Sequence, residues 1–193
     1  MISDIWRNSS SRFKRLLTIL AFFVLSVTIT AAGALTPLSL QEATELKRAS
    51  SNIQELIEGM DVTQSTVLIF GNNFRICLLM FVPFVGPFIG TYVLYNTGTV
   101  IAASTTVELA ENETAYIHPI VLFAFLFIFP FTWLEFIAYS TAFAASVWLS
   151  WRIIQKKATK ELPKTGMFIA LCAALLLAGA VIEAFLLKAF ING

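Results

Sequence analysis

Ionisable and amide side chains stand inside stretches of this sequence that are otherwise apolar. Arg75 lies in the middle of one such run, Glu135 five residues beyond Pro130, and Glu183 towards the end of the last run. Asn72, Asn73 and Asn96 add amide groups. An ionisable group at bilayer depth costs about 2.5–3.5 kcal/mol or more, so such residues face a helix bundle, pair, or line a wet path. Counted from the inner helix ends, Arg75 and Glu135 fall within roughly 10 Å of each other in depth. Three arrangements fit: an ion pair or amide network stitching two helices, a polar path for a solute or ion, and an arginine that reaches the nearer surface. Asn72, Asn73, Arg75, Asn96 and Glu135 are thus the candidate polar cluster.

Other chemistries have little support. His118 is the only histidine, and with no thiol or second histidine near it in sequence it reads as an interfacial residue without a metal or catalytic duty. There is no glycine-rich phosphate loop, and nothing resembles paired acids or a serine–histidine pair, so neither an enzymatic activity nor a cofactor is expected. Cys77 and Cys172 both sit in apolar runs and read as reduced packing residues. The net charge of +1 and the lack of a basic patch interleaved with aromatics give no reason to expect nucleic acid.

The elements that must hold the polar cluster follow from composition and charge. Of 193 residues, 58% are hydrophobic and 13% charged, and a soluble domain carries about twice that charged fraction. Arg7, Arg12, Lys14 and Arg15 precede the first apolar run; Arg152, Lys156, Lys157, Lys160 and Lys164 lie between the last two. Basic residues in short loops are held on the cytoplasmic side. The chain therefore reads as an all-α polytopic protein of the cell membrane, with a cytoplasmic N-terminus and an extracytoplasmic C-terminus.

About five transmembrane helices are expected, at 13–35, 67–84, 88–109, 131–152 and 166–188. The first has a signal-peptide look, with Ala32-Gly33-Ala34 as a small-residue triplet. Its run of about 20 residues is long enough to cross a bilayer core, so it reads as an uncleaved helix. Between the first two spans, 37–60 predicts an external amphipathic helix, with Thr36-Pro37 and a capping box at Ser39-Leu40-Gln41-Glu42. Ala43, Leu46, Ile53, Ile57 and Met60 form its apolar stripe, which lies on the bilayer, caps the bundle, or docks a partner. A turn at Val85-Gly86-Pro87, with Gly90 close by, separates the second and third spans. Pro130 breaks the fourth, leaving a half-helix over 119–129. Asn112-Glu113-Thr114 is a glycosylation acceptor where the host has that machinery. Gly166, Ala170, Ala174 and Ala178, like Ala138, Ala142 and Ser146, sit four apart, a spacing that lets helices approach closely.

The same polar residues carry a resemblance. Phe70-Gly71-Asn72-Asn73, then Gly86-Pro87-Phe88-Ile89-Gly90, then Leu94-Tyr95-Asn96-Thr97-Gly98, and last Pro130-Phe131-Thr132-Trp133-Leu134-Glu135-Phe136-Ile137-Ala138 occur in that order. This resembles the stage II sporulation protein M family, which shows paired asparagines at a helix start, an Asn-Gly element, and a Pro-His-Gly-x-x-Glu-Leu-x-Ala motif. Asn72 and Asn73 match the paired asparagines, Asn96 and Gly98 the Asn-Gly with one insertion, and Pro130, Glu135 and Ala138 the last motif. Phe131, Thr132 and Phe136 replace that motif's histidine, glycine and leucine, so a role that needs the histidine does not carry over.

The resemblance implies a polytopic membrane protein without known catalytic activity. The namesake works in a membrane complex with peptidoglycan-degrading partners, while relatives occur widely in organisms that do not sporulate. The expected function is a non-enzymatic scaffold or component of an envelope protein complex, partnered by the lipid bilayer and by other membrane or envelope proteins. The alternative is a small permease or channel with a polar path near Arg75 and Glu135. Five helices make a thin bundle, so transport would require a homo-oligomer.

Overall fold

The computed structural model of the chain describes residues 11–111 and 117–192, and every regular element in them is helical. The α-helices are α1 Ser11–Ala34, α2 Leu40–Glu58, α3 Val62–Met80, α4 Gly86–Glu111, α5 Pro119–Leu126, α6 Pro130–Ile154 and α7 Leu162–Asn192, with a 3-10 turn at Ala158–Lys160 before the last. Arg7 and the glycosylation acceptor Asn112 lie outside the described residues.

Two sets of contacts define the ends of the bundle. At one end the carboxylate of Glu161 is nearly buried and meets three cations. It pairs with Arg15 at the start of α1, with Arg152 at the end of α6 (3.7 Å), and with Lys164 at the start of α7 (3.9 Å). The 81–85 turn joins this end, where the Ser146 hydroxyl donates to the Val82 carbonyl (2.7 Å) and the Phe84 N–H donates to Ser150 Oγ (2.8 Å). At the other end Lys188 Nζ donates to the Ile57 carbonyl (3.1 Å), and the hydroxyls of Thr36 and Tyr95 share a hydrogen bond (2.8 Å). Five segments (α1, α3, α4, the α5–α6 pair and α7) therefore run between the ends in alternating directions. Within them α7 packs on α3 and α6, and α1 on α4 and α6. The helices over Arg12–Ala34 and Leu162–Phe190 are long and apolar enough to cross a membrane, and the bent α5–α6 pair makes a third such stretch if it counts as one span.

Helix α2 caps the far end. Three residues of its stripe pack on this chain: Ala43 is fully buried and packs with Leu46 and the preceding Leu38 on Ala103 and Val107 of α4, while Ile57 meets α3 and α7 through Ile69, Ala180 and Ala184. The helix begins at Leu40 rather than at residue 37, because Ser39 is its N-cap; the Ser39 side chain accepts the Glu42 N–H and Glu42 accepts the Ser39 N–H. A second capping box, Asp61 with Gln64, starts α3 at Val62, five residues before the expected 67.

The expected break at Gly86 and Pro87 is displaced. Helix α3 stops at Met80, four residues before 84, and the turn occupies 81–85. Pro83 forces this, since its ring would clash with the carbonyl four residues back in a continuing helix. Phe84 sits at φ 63, a region that costs a bulky residue about 1–3 kcal/mol, and the two serine hydrogen bonds hold it there. Gly86 and Pro87 begin α4, where a proline is tolerated because first-turn N–H groups have no intrahelical acceptor. Gly86 and Gly90 face α6; a Cβ on Gly90 would lie 2.6 Å from the Phe143 ring, and one on Gly86 would lie 2.8 Å from Ser146 Oγ.

Helices α5 and α6 meet at 90°. Pro130 opens α6, and α5 ends at Leu126, short of the expected 129, with a turn between. The carbonyls left over at the end of α5 are satisfied from the next helix. Thr132 Oγ1 donates to Leu126 O, and Trp133 Nε1 donates to Phe127 O, both at 2.7 Å.

The small-residue spacings divide. Ala138, Ala142 and Ser146 of α6 are fully buried. Gly166, Ala170, Ala174 and Ala178 of α7 are exposed, because the inward face is Cys172, Leu176, Ala180 and Ala184. The two sets are offset by two residues, about 200° around a helix. The tightest crossing is instead Gly33 of α1 on Gly98 of α4, where a Cβ on Gly98 would overlap the Thr30 carbonyl and lie 2.6 Å from Ala34 N.

Two expectations follow. Gly98→Ala should destabilise the protein in detergent by about 1–3 kcal/mol through overpacking. Gly71→Ala, with nothing within 4 Å of the new Cβ, should be neutral or stabilise by up to about 1 kcal/mol. Thermal unfolding of both variants checks the pair. The bonds from Ser39 hold the Glu42 carboxyl below the usual carboxylate range. Its contribution to the cap is therefore present at neutral pH and is lost as the pH falls through that lowered value. The protection factor of the Ser39 amide, whose N–H the Glu42 carboxylate accepts, should fall over that acid window and hold steady above it.

Candidate functional site

A polar chamber lies between α3, α6 and α7, near the α2 end of the bundle. Its volume is about 330 Å³, and its polar wall is Asn72, Asn73, Glu135 and Glu183; Leu56 and Ile57 at the end of α2 form its rim, with Leu68 and Ile69 of α3 completing it. Helical phase explains the wall. Ser65, Ile69, Asn73 and Cys77 recur every four residues along one face of α3, and that face meets α7. Asn73 is half-buried and its Nδ2–H donates to Glu135 Oε1 in a short contact. Asn72 is exposed, with its Nδ2 3.5 Å from Asn73 Oδ1. Glu135 sits in the second turn of α6, placed by the break at Pro130. Glu183 projects from α7 and is within electrostatic reach of Glu135.

The expected five-residue cluster does not assemble whole. Arg75 makes no ion pair with Glu135; it is exposed on the outer face of α3. Two residues separate it from Asn73, about 200° of rotation, so one of them facing α6 turns the other away. Asn96 lies on α4, where its Nδ2 donates to the Tyr92 carbonyl (2.8 Å), outside the chamber. Gly98, its partner in the motif, serves the α1 crossing. Gly86 and Pro130 each open a helix directly after a turn, Pro87 is the second residue of α4, and Gly90 faces the Phe143 ring of α6.

Glu183 is the missing member. It appears in the sequence as an intramembrane acid, but nothing local links it to Glu135; only the packing of α7 against α6 does so. Below the chamber the bundle is closed by a buried layer that includes Cys77, Phe136, Tyr139, Cys172 and Leu176. The two cysteines are free thiols in that layer, and Cys172 Sγ donates to the Ala138 carbonyl (3.3 Å). His118 caps α5, its Nδ1 accepting the Ile120 N–H (3.3 Å). Among the described residues no group of three or more metal-ligating side chains comes together. Two carboxylates and two amides around a polar space suit hydrogen-bonded recognition of a cationic or amide group; no nucleophile is paired with a base there.

The helices and the chamber define an all-helical protein of membrane type with an acid–amide site at one end. The family model of stage II sporulation protein M matches residues 18–186, and the chain belongs to that family. No curated protein and no solved structure matches it.

The Asn73–Glu135 contact predicts a specific coupling. In a double-mutant cycle of Asn73→Ala and Glu135→Ala, stability in detergent should show an interaction of about 0.5–3 kcal/mol. Arg75→Met combined with Glu135→Ala should be additive. Coupling of Arg75 and absence of coupling at Asn73 would reverse the assignment.

Proposed function

We propose that the protein is a non-enzymatic, multi-pass scaffold or component of an envelope protein complex, spanning the cell membrane five times. The N-terminus and the 152–164 connection are cytoplasmic; α2 and the C-terminus are extracytoplasmic. The orientation rests on charge. Arg12, Lys14, Arg15, Arg152, Lys156, Lys157, Lys160 and Lys164 gather at the end marked by Glu161, where the positive-inside rule puts them in the cytoplasm. The five-span count is supported by the alternating segments: α3 has 19 residues and α4 has 26, and about 20 residues span the hydrocarbon core.

The observation that carries the scaffold reading is the outward Arg75. On a lipid-facing surface its charge would cost about 2.5–3.5 kcal/mol or more; against an acidic or amide group of another membrane protein it would be paired. The exposed small-residue stripe Gly166, Ala170, Ala174 and Ala178 on α7 offers a second copy, or a partner helix, a close approach. Outside the membrane, α2 is held rigidly by its caps and by α4, with Glu45, Arg48 and Glu55 facing outward.

The permease reading is favoured by one feature, the Glu135–Glu183 chamber beside a broken helix. Transport through it would have to open the buried layer beneath. A photo-crosslinking residue at Arg75, and another at Glu45, should capture discrete proteins in native membranes, whereas one at Leu20 should capture lipid. Position 45, as a cysteine in a Cys77→Ala, Cys172→Ala background, should be labelled by an impermeant reagent from outside only. Solute flux in liposomes that is abolished by Glu135→Gln, with no protein captured at either position, would replace the scaffold reading with the permease.

A further inference from the structure

A second cavity of the molecule is at the opposite end from the acidic chamber and uses none of its residues. It is a groove of about 610 Å³ opening sideways beside the Glu161 cluster. Its walls are apolar: Phe84, Val147, Trp148, Trp151 and Ile154. Lys14 adds an ammonium group, while the Thr18 and Ser150 hydroxyls are donated to the Lys14 and Ser146 carbonyls. Two features mark it as built. Phe84 holds one wall from a left-handed backbone conformation (φ 63), pinned by its N–H on Ser150 Oγ. Trp148 carries Arg15 over its ring at 5.0 Å.

The surroundings state the charge of the occupant. Arg12, Lys14, Arg15, Arg152, Lys156, Lys157, Lys160 and Lys164 collect at this end, against the single buried carboxylate of Glu161. The field there is strongly positive after that one neutralisation. Apolar walls continuous with the helix surface, two tryptophans, and a cation at the water-facing rim are the features of a headgroup site at a membrane interface.

We infer that this groove binds one anionic phospholipid of the cytoplasmic leaflet, with an acyl chain against Phe84, Trp148, Trp151 and Ile154 and the phosphate at Lys14. The lipid fills the gap between α1, α6 and the 81–85 turn. This site rests on the membrane orientation proposed above and not on the choice between scaffold and permease.

The test uses the full chain in nanodiscs with Trp6→Phe and Trp133→Phe, so that Trp148 and Trp151 alone report. Phosphatidylglycerol brominated on its acyl chains should quench them saturably, at a mole fraction roughly fivefold below that needed with brominated phosphatidylcholine, the effect expected of one lysine beside an anionic headgroup. Lys14→Gln should erase that preference. Phe84→Gly, which relieves the backbone conformation while removing a wall, should weaken saturable quenching by both lipids without lowering thermal stability. Free glycerol phosphate should not compete, because the acyl contacts hold the ligand. Equal quenching by the two lipids would overturn the proposal, as would a preference untouched by Lys14→Gln or competition by glycerol phosphate alone. Quenching that appears only when residues 1–10 are deleted would also overturn it, by assigning the groove to the chain's own N-terminal segment.

Discussion

Everything at the basic end of this protein is organised by one buried carboxylate. The Glu161 side chain is 3% exposed and collects Arg15 from the far end of the sequence and Arg152 and Lys164 from the two helices that flank it. Removing such a group would leave partly buried cations unpaired, a far larger penalty than the loss of an exposed pair. The ion cluster therefore does more than add contacts. It fixes the start of α1, the end of α6 and the start of α7 at one level. With those three ends level, helix length and short turns dictate the alternation of the remaining segments. The same cluster keeps both basic groups on one side, so the orientation signal and the tertiary fold have a common origin.

Much of this architecture was legible because apolar period, proline position and capping residues act locally. The α5–α6 break at Pro130 and the capping box at Ser39 are both local, readable features. So was the Asp61–Gln64 box, which has the same form as the Ser39–Glu42 box and marks the true start of α3. Pro83 carried the signal that moves the turn to 81–85; the glycines that follow it looked like a turn because glycine serves both turns and close helix contacts. Distinguishing these uses requires the neighbour, here Phe143 against Gly90 and Thr30 against Gly98. Glu161 was not legible at all. A lone acid in a basic loop reads as a solvated residue until the helices bring the arginines to it.

The polar cluster divides along the same line. Asn73 and Glu135 meet because each sits on the inward phase of its own helix, a property that composition does not show. Arg75 is two residues out of phase with Asn73, so no packing that keeps the Asn73–Glu135 bond could also pair Arg75 with Glu135 in the same bundle. An arginine beside an acid at similar depth is thus a weak sign of a pair; phase decides. Glu183 joins the site only through the α6–α7 contact, which itself depends on the face carrying Cys172, Leu176, Ala180 and Ala184 being turned inward.

The two cavities differ in ways that separate their roles. The chamber at the α2 end is acidic, rimmed by α2 through Leu56 and Ile57, and closed from below by a buried layer. Its rim belongs to a helix whose stripe packs on α4 at Ala43 and Leu46. A displacement of α2 would expose both the chamber and that stripe together, since Ile57 belongs to each. Lys188, whose ammonium holds the Ile57 carbonyl, ties this rim to the end of α7. A movement of α2 would therefore open access to Glu135 and Glu183 and break the Lys188 contact in the same step.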